Sequence, residues 1–505
     1  MLNAARRSRE LDDLASGGPI DLLIVGGGIT GTGAALDAAA RGLRVVLVEA
    51  NDWAFGTSRW SSKLVHGGLR YLASGHVGIA RESAVERHVL MTTVAPHLVH
   101  PLASVVPAGP RMRWYDRGMI RAGYFAADVL RASAGTPASL LPRARRISVD
   151  ETRQRFPGVD PNGLRGGYLA WDGQLVDDAR LVVTVARTAA DLGATMLTRV
   201  RASEVTGTSA RLTDTLTGES LTITARAVIN AAGVWAGDVD TSVRLRPSRG
   251  THLVFAASAF GNPTSSITVA VPGSRTRFVF AMPEPLDRVY LGLTDEDAPG
   301  PIPDEPVAAD SEIDFLINTI NTALERPVSR ADVLGTYSGL RPLVDVGGGT
   351  TADVSRKHSV TIGPDGVVSI IGGKLTTYRQ MAEDVVDRTV AHAGLTAERC
   401  RTKTIPLVGA PARPDSASTD GLPASLVSRH GGLAPTVVKT ATVTDPLAPI
   451  ADGIDITRAE IEYAVTHEGA LDVSDVLDRR TRIGLVRTDA DKARAAVEEI
   501  VTAAR

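Results

Sequence analysis

The sequence is poor in cysteine. Cys400 is the single cysteine among 505 residues, so an intrachain disulfide and a cysteine-rich zinc or iron–sulfur site are both excluded. The sequence also lacks any apolar run near the roughly 18 residues that a membrane-spanning helix needs. Its first twenty residues mix Arg with Glu10, Asp12 and Asp13 and contain no apolar segment typical of a secretory signal. We therefore expect a cytoplasmic protein.

A strong net charge of either sign is missing too. The 55 Lys and Arg residues nearly balance the 57 Asp and Glu residues, for a formal net charge of −2. This balance argues against a globally basic nucleic-acid-binding protein, so we expect no nucleic-acid partner. At about 150 residues per domain, the length predicts about three domains.

The N-terminal part has the pattern of a βαβ unit. Residues 21–25 form a short apolar run, a glycine cluster and an Ala-rich stretch over 30–41 follow, and residues 44–48 form a second apolar run. A strand, a helix and a second strand in this order predict a parallel sheet. Residues 227–229 and 366–371 have the same short apolar pattern and are interpreted as further strands of this sheet.

A glycine motif lies between the first strand and the helix. Residues 26–31 read GGGITG, which fits the G-x-G-x-x-G pattern of dinucleotide-binding loops. Glycines there let the backbone approach a pyrophosphate, and the helix N-terminus offers free N–H groups to the phosphates. Glu49 follows at roughly the 20-residue spacing at which an acidic side chain binds a ribose. The pattern favours a dinucleotide site over a purely structural glycine turn, but it does not separate NAD from FAD.

A second domain is predicted between the later strands of the sheet. Three segments alternate between polar and apolar residues, which predicts antiparallel strands: 251–255, 277–281 and 288–293. Residues 407–423 are rich in Pro, Gly, Ser and Asp and are interpreted as a linker. Three segments beyond the linker have a helical pattern, which predicts a separate C-terminal domain: 456–467, 474–482 and 489–504.

Several longer strings carry a family resemblance. Over nearly its whole length the sequence resembles the FAD-dependent glycerol-3-phosphate dehydrogenases, in the glycine loop and in seven further strings. These are SSKLVHGGLRYL (61–72), VDDARLV (176–182), AAGVWA (231–236), GTHLV (250–254), TYSGLRPL (336–343), GGKLTTYR (372–379) and HE…DVLDRRTR (467–482).

The resemblance implies a fold like that of the D-amino-acid-oxidase and glycine-oxidase group. We expect an α/β protein with a Rossmann-like FAD-binding domain, an interleaved antiparallel-sheet domain that caps the substrate, and a C-terminal α-helical domain. The expected FAD-binding domain covers 17–75, 150–243 and 334–395. The expected cap domain covers 76–149 and 244–333, and the linker and C-terminal domain cover 396–505.

The resemblance also implies an activity. It is the oxidation of sn-glycerol 3-phosphate to dihydroxyacetone phosphate, with a hydride passing from C2 to flavin N5 and the electrons passing to a membrane quinone. A glycerol-3-phosphate oxidase that reduces O2 to H2O2 is an alternative. An FAD-binding RNA-modification or scaffold protein is an alternative of another class, which the balanced charge disfavours. The oligomeric state stays open, with a homodimer among the options.

Cationic residues are the expected substrate ligands, because a phosphate dianion needs positive partners and Arg offers forked donors. The resemblance assigns substrate binding to Arg70, His252, Arg341, Arg356 and Lys374, and catalysis to His252, Arg341 and Lys374. His252 is the candidate general base, since imidazole titrates near neutrality. In the alternative, a cationic side chain favours the substrate alkoxide and water takes the proton.

The resemblance places the cofactor on the glycine loop and at five other places along the sequence. The expected FAD-binding residues are Gly26, Gly28, Thr30, Gly31, Glu49, Thr57, Ser58, Ser62, Lys63, Leu64, His66, Gly67, Gly68, Val205, Gly233, Trp235, Gly373, Lys374, Thr376 and Thr377. Gly67 and Gly68 are small enough for the backbone to approach a flat, bulky group. The helix expected from Leu375 would direct its positive N-terminus at the reduced flavin, or be simply N-capped. Cys400 lies outside these segments, so we expect non-covalent FAD, and we expect no metal.

One segment is basic and aromatic. Residues 111–146 contain eight Arg against Asp116 and Asp128, and residues 114–130 mix bulky apolar side chains with Arg117 and Arg121. This composition is typical of a helix at an anionic membrane surface. Since the family is peripheral to the membrane, we expect a location on the inner face of the cell membrane. The alternative is an ordinary amphipathic helix packed on the cap domain.

Overall fold

Two large sheets and a group of C-terminal helices build the molecule. The computed structural model describes residues 1–68, 76–110, 112, 114–274, 277–345, 357–413 and 416–505. Within them, a mostly parallel sheet is joined to a mostly antiparallel one, and helices follow in the last quarter of the chain. The expected α/β fold is confirmed.

The mostly parallel sheet carries the glycine loop at its centre. Among the described residues its strands lie in the order Ser359–Ile362, Val368–Ile371, Ala227–Asn230, Leu22–Val25, Val45–Val48 and Thr195–Leu197. Neighbouring strands are parallel except at the Ser359–Ile362 edge. The four strands predicted for this sheet are therefore found, with ends shifted by one or two residues.

The two faces of this sheet are covered differently. Leu22 and Ile24 pack against helices, whereas Leu23 and Val25 pack against a small antiparallel sheet. Because both faces are buried, every position of the strand is apolar, which explains the LLIV sequence. The helices are Ile29–Ala40, Asp178–Asp191 and Tyr378–Ala393, and the strands of the small sheet are Val200–Ser203, Ser209–Asp214 and Ser220–Thr224.

The second large sheet is mostly antiparallel. Its strand order is Glu296–Asp297, Ser248–Ala256, Arg288–Gly292, Phe278–Glu284, Ser266–Ala270, Val99–Pro107, Gly167–Leu175 and Leu64–Val65. Two further strands join it at the side: Val333–Arg341 pairs with Ser248–Ala256, and Arg145–Ile147 pairs with Gly167–Leu175. The three alternating segments form strands as predicted. Residues 64–65 and 167–175 belong to this sheet although they fall in ranges assigned to the FAD-binding domain, whose exact boundaries stay a prediction.

The C-terminal part is mainly helical. Its helices are Ala424–His430, Ala434–Thr440, Arg458–Thr466, Val473–Arg479 and Arg487–Ala504, and a short hairpin joins Pro449–Ala451 to Ile454–Thr457. Ile461, Val476 and Val497 contribute to a separate apolar core. The preceding segment is not a free linker at its start, because Leu407 and Val408 are buried and hydrogen-bonded to the rest of the chain.

The remaining helices lie around the two sheets. They are Ala4–Ala15, Val77–Val89, Trp114–Ser133, Val149–Arg155, Ala236–Val239 and Asp310–Asn321. The helix Asp310–Asn321 packs on the antiparallel sheet through Leu316, Ile317 and Ile320. No helix among the described residues has both the length and the apolar character to cross a membrane.

Buried ion pairs join the C-terminal helices to the parallel-sheet part. Asp52, in the loop after the second strand, accepts hydrogen bonds from Arg479 Nε at 2.7 Å and Arg480 Nη1 at 2.8 Å. Burial alone would raise the pKa of Asp52, but the charges of Arg480 and Arg479 outweigh it and hold the pKa at about 2. Arg180 and Glu468 form a second buried pair at 2.8 Å. Removing one partner of such a pair costs about 3–5 kcal/mol because a buried charge is left unpaired.

Candidate active site

The glycine loop has a backbone conformation that side chains would block. Gly26 has a φ of +115°, and a Cβ atom there would lie 2.5 Å from the carbonyl oxygen of Ala231. A Cβ atom at Gly31 would lie 1.9 Å from the carbonyl oxygen of Gly26. Both positions therefore need glycine, and the chain turns tightly into the helix Ile29–Ala40.

The N-terminus of this helix meets the segment that begins at Thr57. Gly28 is the N-cap residue, and the Ile29 amide donates to Ser58 Oγ at 3.0 Å. The Thr57 hydroxyl donates to the Leu340 carbonyl at 2.6 Å, which ties the segment to the antiparallel sheet. The other first-turn amides, including that of Thr30, lack partners within the helix, as at every helix start. They offer donors to an anionic ligand.

Glu49 ends the second strand beside the loop. Its Oε2 accepts a hydrogen bond from the Gly27 amide at 2.6 Å, and its Oε1 accepts one from the Asn51 amide at 2.8 Å. Burial raises the pKa of the Glu49 carboxyl group. A carboxylate has about four lone-pair sites, so acceptor capacity remains for ribose hydroxyls. The glycine cradle, the helix N-terminus and this acid together fit a dinucleotide.

Gly67 and Gly68 are explained by packing inside the protein. A Cβ atom at Gly67 would lie 2.2 Å from Arg87 Nη1, and one at Gly68 would lie 2.7 Å from Ala80 Cα. The Gly67 amide donates to Asp172 Oδ1 at 2.9 Å, and Arg87 Nη1 lies 2.5 Å from the same oxygen. The glycines thus bring this segment against the helix that carries Ala80 and Arg87. Their expected contact with the cofactor stays a prediction.

His252 is buried in the antiparallel sheet. It lies opposite Tyr337 on one neighbouring strand and opposite Gly292 on the other. Its ring stacks on that of Tyr337, and its Nε2 lies 3.0 Å from Ser62 Oγ. The ring is therefore held by an aromatic contact and a hydrogen bond together.

Two cations near His252 affect its protonation. Burial lowers the pKa of His252 well below 6.5, and the positive charges of Lys63 and Arg341 lower it further. The imidazole is consequently neutral at physiological pH, which is the form that a general base needs.

Arg341 ends the strand paired with that of His252. Its Nη1 donates to Ser248 Oγ at 3.1 Å and forms an ion pair with Asp295 at 3.3 Å, while Nη2 donates to a backbone carbonyl at 3.2 Å. A Cβ atom at Gly250 would lie 2.2 Å from Nη2. The guanidinium group thus lies over Gly250, between Ser248 and His252 on one face of the strand. The structure brings these two predicted residues together.

The two predicted lysines have different partners. Lys63 is buried, and its Nζ lies 2.6 Å from each carboxylate oxygen of Asp178. Lys374 Nζ donates to Ser83 Oγ at 2.9 Å, on the helix Val77–Val89. Lys63 therefore contributes a fixed charge near His252, and Lys374 connects the GGKLTTYR string to that helix.

Three further expected residues precede the helix Tyr378–Ala393. Gly373 has a φ of +82°, Thr376 Oγ1 accepts a hydrogen bond from the His66 amide at 3.2 Å, and Thr377 Oγ1 donates to the Lys374 carbonyl at 3.4 Å. The Thr376 contact brings the start of this helix to the SSKLVHGG segment. Two distant strings of the sequence therefore meet here.

The other expected residues occupy varied positions. Leu64 lies in a short strand, and Val205 packs beside the small sheet. Trp235 packs against Gly56, and Gly233 has a φ of +60°. Two expected substrate-binding residues lie outside the described residues, so their roles stay predictions: Arg70 and Arg356.

Sequence reasoning missed four residues that organise the site. They are Tyr337, Asp172, Asp178 and Glu312. Tyr337 and Asp178 stand inside the strings TYSGLRPL and VDDARLV, so the strings were an available signal. Asp172 and Glu312 stand outside every string, and their partners come from distant segments. Glu312 is buried and accepts hydrogen bonds from the hydroxyls of Thr251 and Thr294.

Comparison with known proteins agrees with this architecture. Residues 21–379 match the family described as FAD dependent oxidoreductase, and residues 400–505 match the C-terminal domain of alpha-glycerophosphate oxidase. The chain is 61% identical over 507 residues to glycerol-3-phosphate dehydrogenase 1 of Mycobacterium tuberculosis, covering 99% of this chain and 98% of the relative. It is 34% identical over 512 residues to a glycerol-3-phosphate dehydrogenase of Synechocystis, covering 93% and 90%.

Solved structures extend the comparison. Glycerol-3-phosphate dehydrogenase from Bacillus halodurans, complexed with FAD, superposes with a TM-score of 0.76 at 26% identity, over 99% of this chain and 94% of the other. L-alpha-glycerophosphate oxidase from Mycoplasma pneumoniae shares the fold, with a TM-score of 0.57 at 15% identity, over 77% and 99% of the two chains.

The glycine loop can be tested by adding one methyl group. Gly31→Ala forces the helix start away from the Gly26 carbonyl, so we expect the free energy of unfolding to fall by about 1–3 kcal/mol. We also expect the purified protein to lose FAD during gel filtration. The control is Gly78→Ala in the first turn of another helix, where a Cβ atom meets nothing within 4 Å. Urea unfolding and flavin absorbance measure both effects, and a Gly31→Ala protein as stable and as flavin-loaded as the control would contradict the prediction.

Proposed function

Since the chain belongs to the FAD-dependent glycerol-3-phosphate dehydrogenase family, we propose that it oxidises sn-glycerol 3-phosphate to dihydroxyacetone phosphate and passes the electrons to a membrane quinone. The observation that carries this proposal is the pairing of a dinucleotide cradle with the His252–Arg341 face. A redox cofactor site and a cationic site that contains a base are the two parts that oxidation of a phosphorylated alcohol needs. The similarity to whole-length dehydrogenases supports the choice of substrate.

His252 is the proposed base for the C2 hydroxyl proton. Bound FAD supplies the hydride acceptor, flavin N5, for the hydrogen that leaves C2 of the substrate. The neutral imidazole accepts the hydroxyl proton, and Ser62 orients the ring through its contact with Nε2. The positive charges of Lys63 and Arg341 weaken His252 as a base, but they equally favour an alkoxide placed beside them. We therefore propose that His252 accepts the proton while the two cations stabilise the alkoxide, so that the base and the charges act together.

Arg341 is the proposed phosphate ligand. Its guanidinium is partly exposed, at 19% for the side chain, and its contacts to Ser248 and Asp295 fix the direction of the fork. A fixed planar fork suits two phosphate oxygens better than a flexible ammonium group does. Arg70, Arg356 and Lys374 are proposed as further cationic ligands by family resemblance.

The proposed electron acceptor lies in the membrane. The helix Trp114–Ser133 packs through Leu130 on Ala80 and Ala84, and its Met119, Phe125 and Val129 side chains are among the exposed large apolar residues of the chain. The helix lies in the segment 111–146, which has eight Arg against two Asp. Bulky apolar groups in a basic segment suit an anionic lipid surface on the cytoplasmic side. Contact with the surface would bring the flavin enzyme to a lipid-soluble quinone.

The substrate is tested by bleaching the flavin. Under anaerobic conditions we expect sn-glycerol 3-phosphate to bleach the bound flavin, and we expect glycerol and amino acids to leave it oxidised. Arg341→Lys should raise the dissociation constant for glycerol 3-phosphate about tenfold to a hundredfold, because a forked, charge-assisted contact is lost. Arg330→Lys, whose guanidinium pairs with Asp310 and Asp314 at the surface, is the control. Bleaching by glycerol as readily as by its phosphate would reject the proposed substrate.

The acceptor and the membrane contact are tested together. We expect anionic phosphatidylglycerol vesicles that contain a quinone to bind the enzyme and reoxidise its reduced flavin. Phe125→Asp should weaken vesicle binding about tenfold or more, because burial of one Phe side chain contributes about 1.5–3 kcal/mol. Leu216→Asp is the control, since Leu216 is an exposed apolar residue in the turn between the strands Ser209–Asp214 and Ser220–Thr224. Stoichiometric H2O2 without quinone reduction would favour the oxidase alternative instead.

A further inference from the structure

The Tyr337 ring on one side and the Gly292 backbone on the other confine the imidazole ring of His252. The rings of His252 and Tyr337 are nearly parallel, at 8°, with centroids 4.6 Å apart. On the other side, a Cβ atom at Gly292 would lie only 2.2 Å from His252 Cδ2. The imidazole thus fits between Tyr337 and a glycine, and its plane follows that of the tyrosine ring.

Tyr337 is itself fixed from several directions. Its hydroxyl donates to the Ser61 carbonyl at 3.2 Å, next to Ser62, which contacts the imidazole. Trp60 stacks on it with centroids 6.0 Å apart, and Tyr290 meets it edge-on at 5.6 Å. Because Tyr337 is only 3% exposed, a change in one of these neighbours would shift its ring.

The support of Tyr337 continues into the C-terminal domain. Val486 packs in the same apolar cluster as Tyr290 and Tyr337. Arg482 Cζ lies 5.9 Å from the centroid of the Tyr290 ring. Its Nε donates to Asp177 at 2.6 Å, and its Nη1 donates to a second buried carboxylate at 2.8 Å. Arg482 is thereby locked by two ion pairs behind the aromatic cluster.

Backbone contact reinforces this arrangement. A Cβ atom at Gly335 would lie 2.1 Å from the carbonyl oxygen of Leu485. Gly335 stands two residues before Tyr337 on the same strand. The C-terminal domain therefore presses directly on the strand that supports the imidazole, with no room for a side chain between them.

We propose that Tyr337 is the positioning residue of His252 and that the C-terminal domain holds Tyr337 in place through Val486 and Arg482. This inference rests on the proposed function, because His252 must act on the substrate for its position to matter. It makes the C-terminal domain part of the catalytic unit. A displacement of about 1 Å in a catalytic group can slow a reaction about 10²-fold.

The test uses full-length, FAD-loaded variants mixed rapidly and anaerobically with saturating glycerol 3-phosphate. Tyr337→Leu removes the ring, Tyr337→Phe keeps the ring without its hydroxyl, and Val486→Ala removes apolar support from the C-terminal side. His252→Ala sets the scale of the effect. Arg487→Ala changes a 94% exposed side chain of the same domain and is the control.

We expect Tyr337→Leu to slow flavin reduction about 10²-fold while the substrate dissociation constant stays unchanged. Tyr337→Phe should recover most of the rate, and Val486→Ala should slow reduction about threefold. Since Val486 acts through Tyr337, adding Val486→Ala to Tyr337→Leu should cause no further slowing. The control should react like the wild type.

Several results would overturn the proposal. A wild-type rate in FAD-loaded Tyr337→Leu rejects the positioning role, and additive effects in the double variant reject the route from the C-terminal domain. If Tyr337→Leu retains no FAD, Val486→Ala decides: a slower rate at unchanged substrate affinity supports the proposal, and a wild-type rate rejects it. If glycerol 3-phosphate does not bleach the wild type, the proposed function fails. If His252→Ala reacts at full rate, the base assignment fails and the positioning role with it.

Discussion

Two adjacent buried carboxylates, Asp177 and Asp178, join separate parts of the chain beside the proposed active site. Asp177 accepts a hydrogen bond from Arg482 of the C-terminal domain at 2.6 Å, and Asp178 lies 2.6 Å from the Lys63 ammonium group. Burial would raise the pKa of Asp177, but the charges of Arg482 and Lys63 outweigh it and lower the pKa. Each charge is tolerated inside the protein only because the others are there.

This cluster decides how the site is assembled. Asp178 also accepts a hydrogen bond from the Ser61 amide at 2.9 Å, so it fixes both ends of the segment that presents Ser62 to His252. Asp177 caps the helix Asp178–Asp191 by accepting a hydrogen bond from the Arg180 amide at 2.8 Å. One helix start therefore sets the position of the proposed base, of a nearby positive charge and of the C-terminal domain. In the proposed reaction, the Lys63 charge near His252 favours deprotonation of the substrate hydroxyl, so the groups that stabilise the fold here are also groups of the proposed chemistry.

Much of the fold could be predicted from the sequence. The βαβ unit, the glycine loop and Glu49 follow from local patterns, because a tight turn before a helix constrains residues close together in sequence. The His252–Arg341 pair was reached through resemblance and is brought together by strand pairing. Tyr337 and Asp178 were missed because important partners are distant in sequence: Ser61 lies 276 positions from Tyr337, and Lys63 lies 115 positions from Asp178. No local pattern encodes such packing. The segment 407–423 shows the same limit: its composition indicated a linker, yet Leu407 is buried by contacts from distant residues.

The interdependence of the C-terminal domain and the flavin site is best tested by unfolding the FAD-loaded enzyme in urea. Flavin fluorescence reports release of FAD, and hydrogen exchange reports protection of the helices Val473–Arg479 and Arg487–Ala504. If buried charges bind the two parts into one unit, both signals change at the same urea concentration in a single transition. Loss of protection in these helices at lower urea, with FAD still bound, would contradict that coupling.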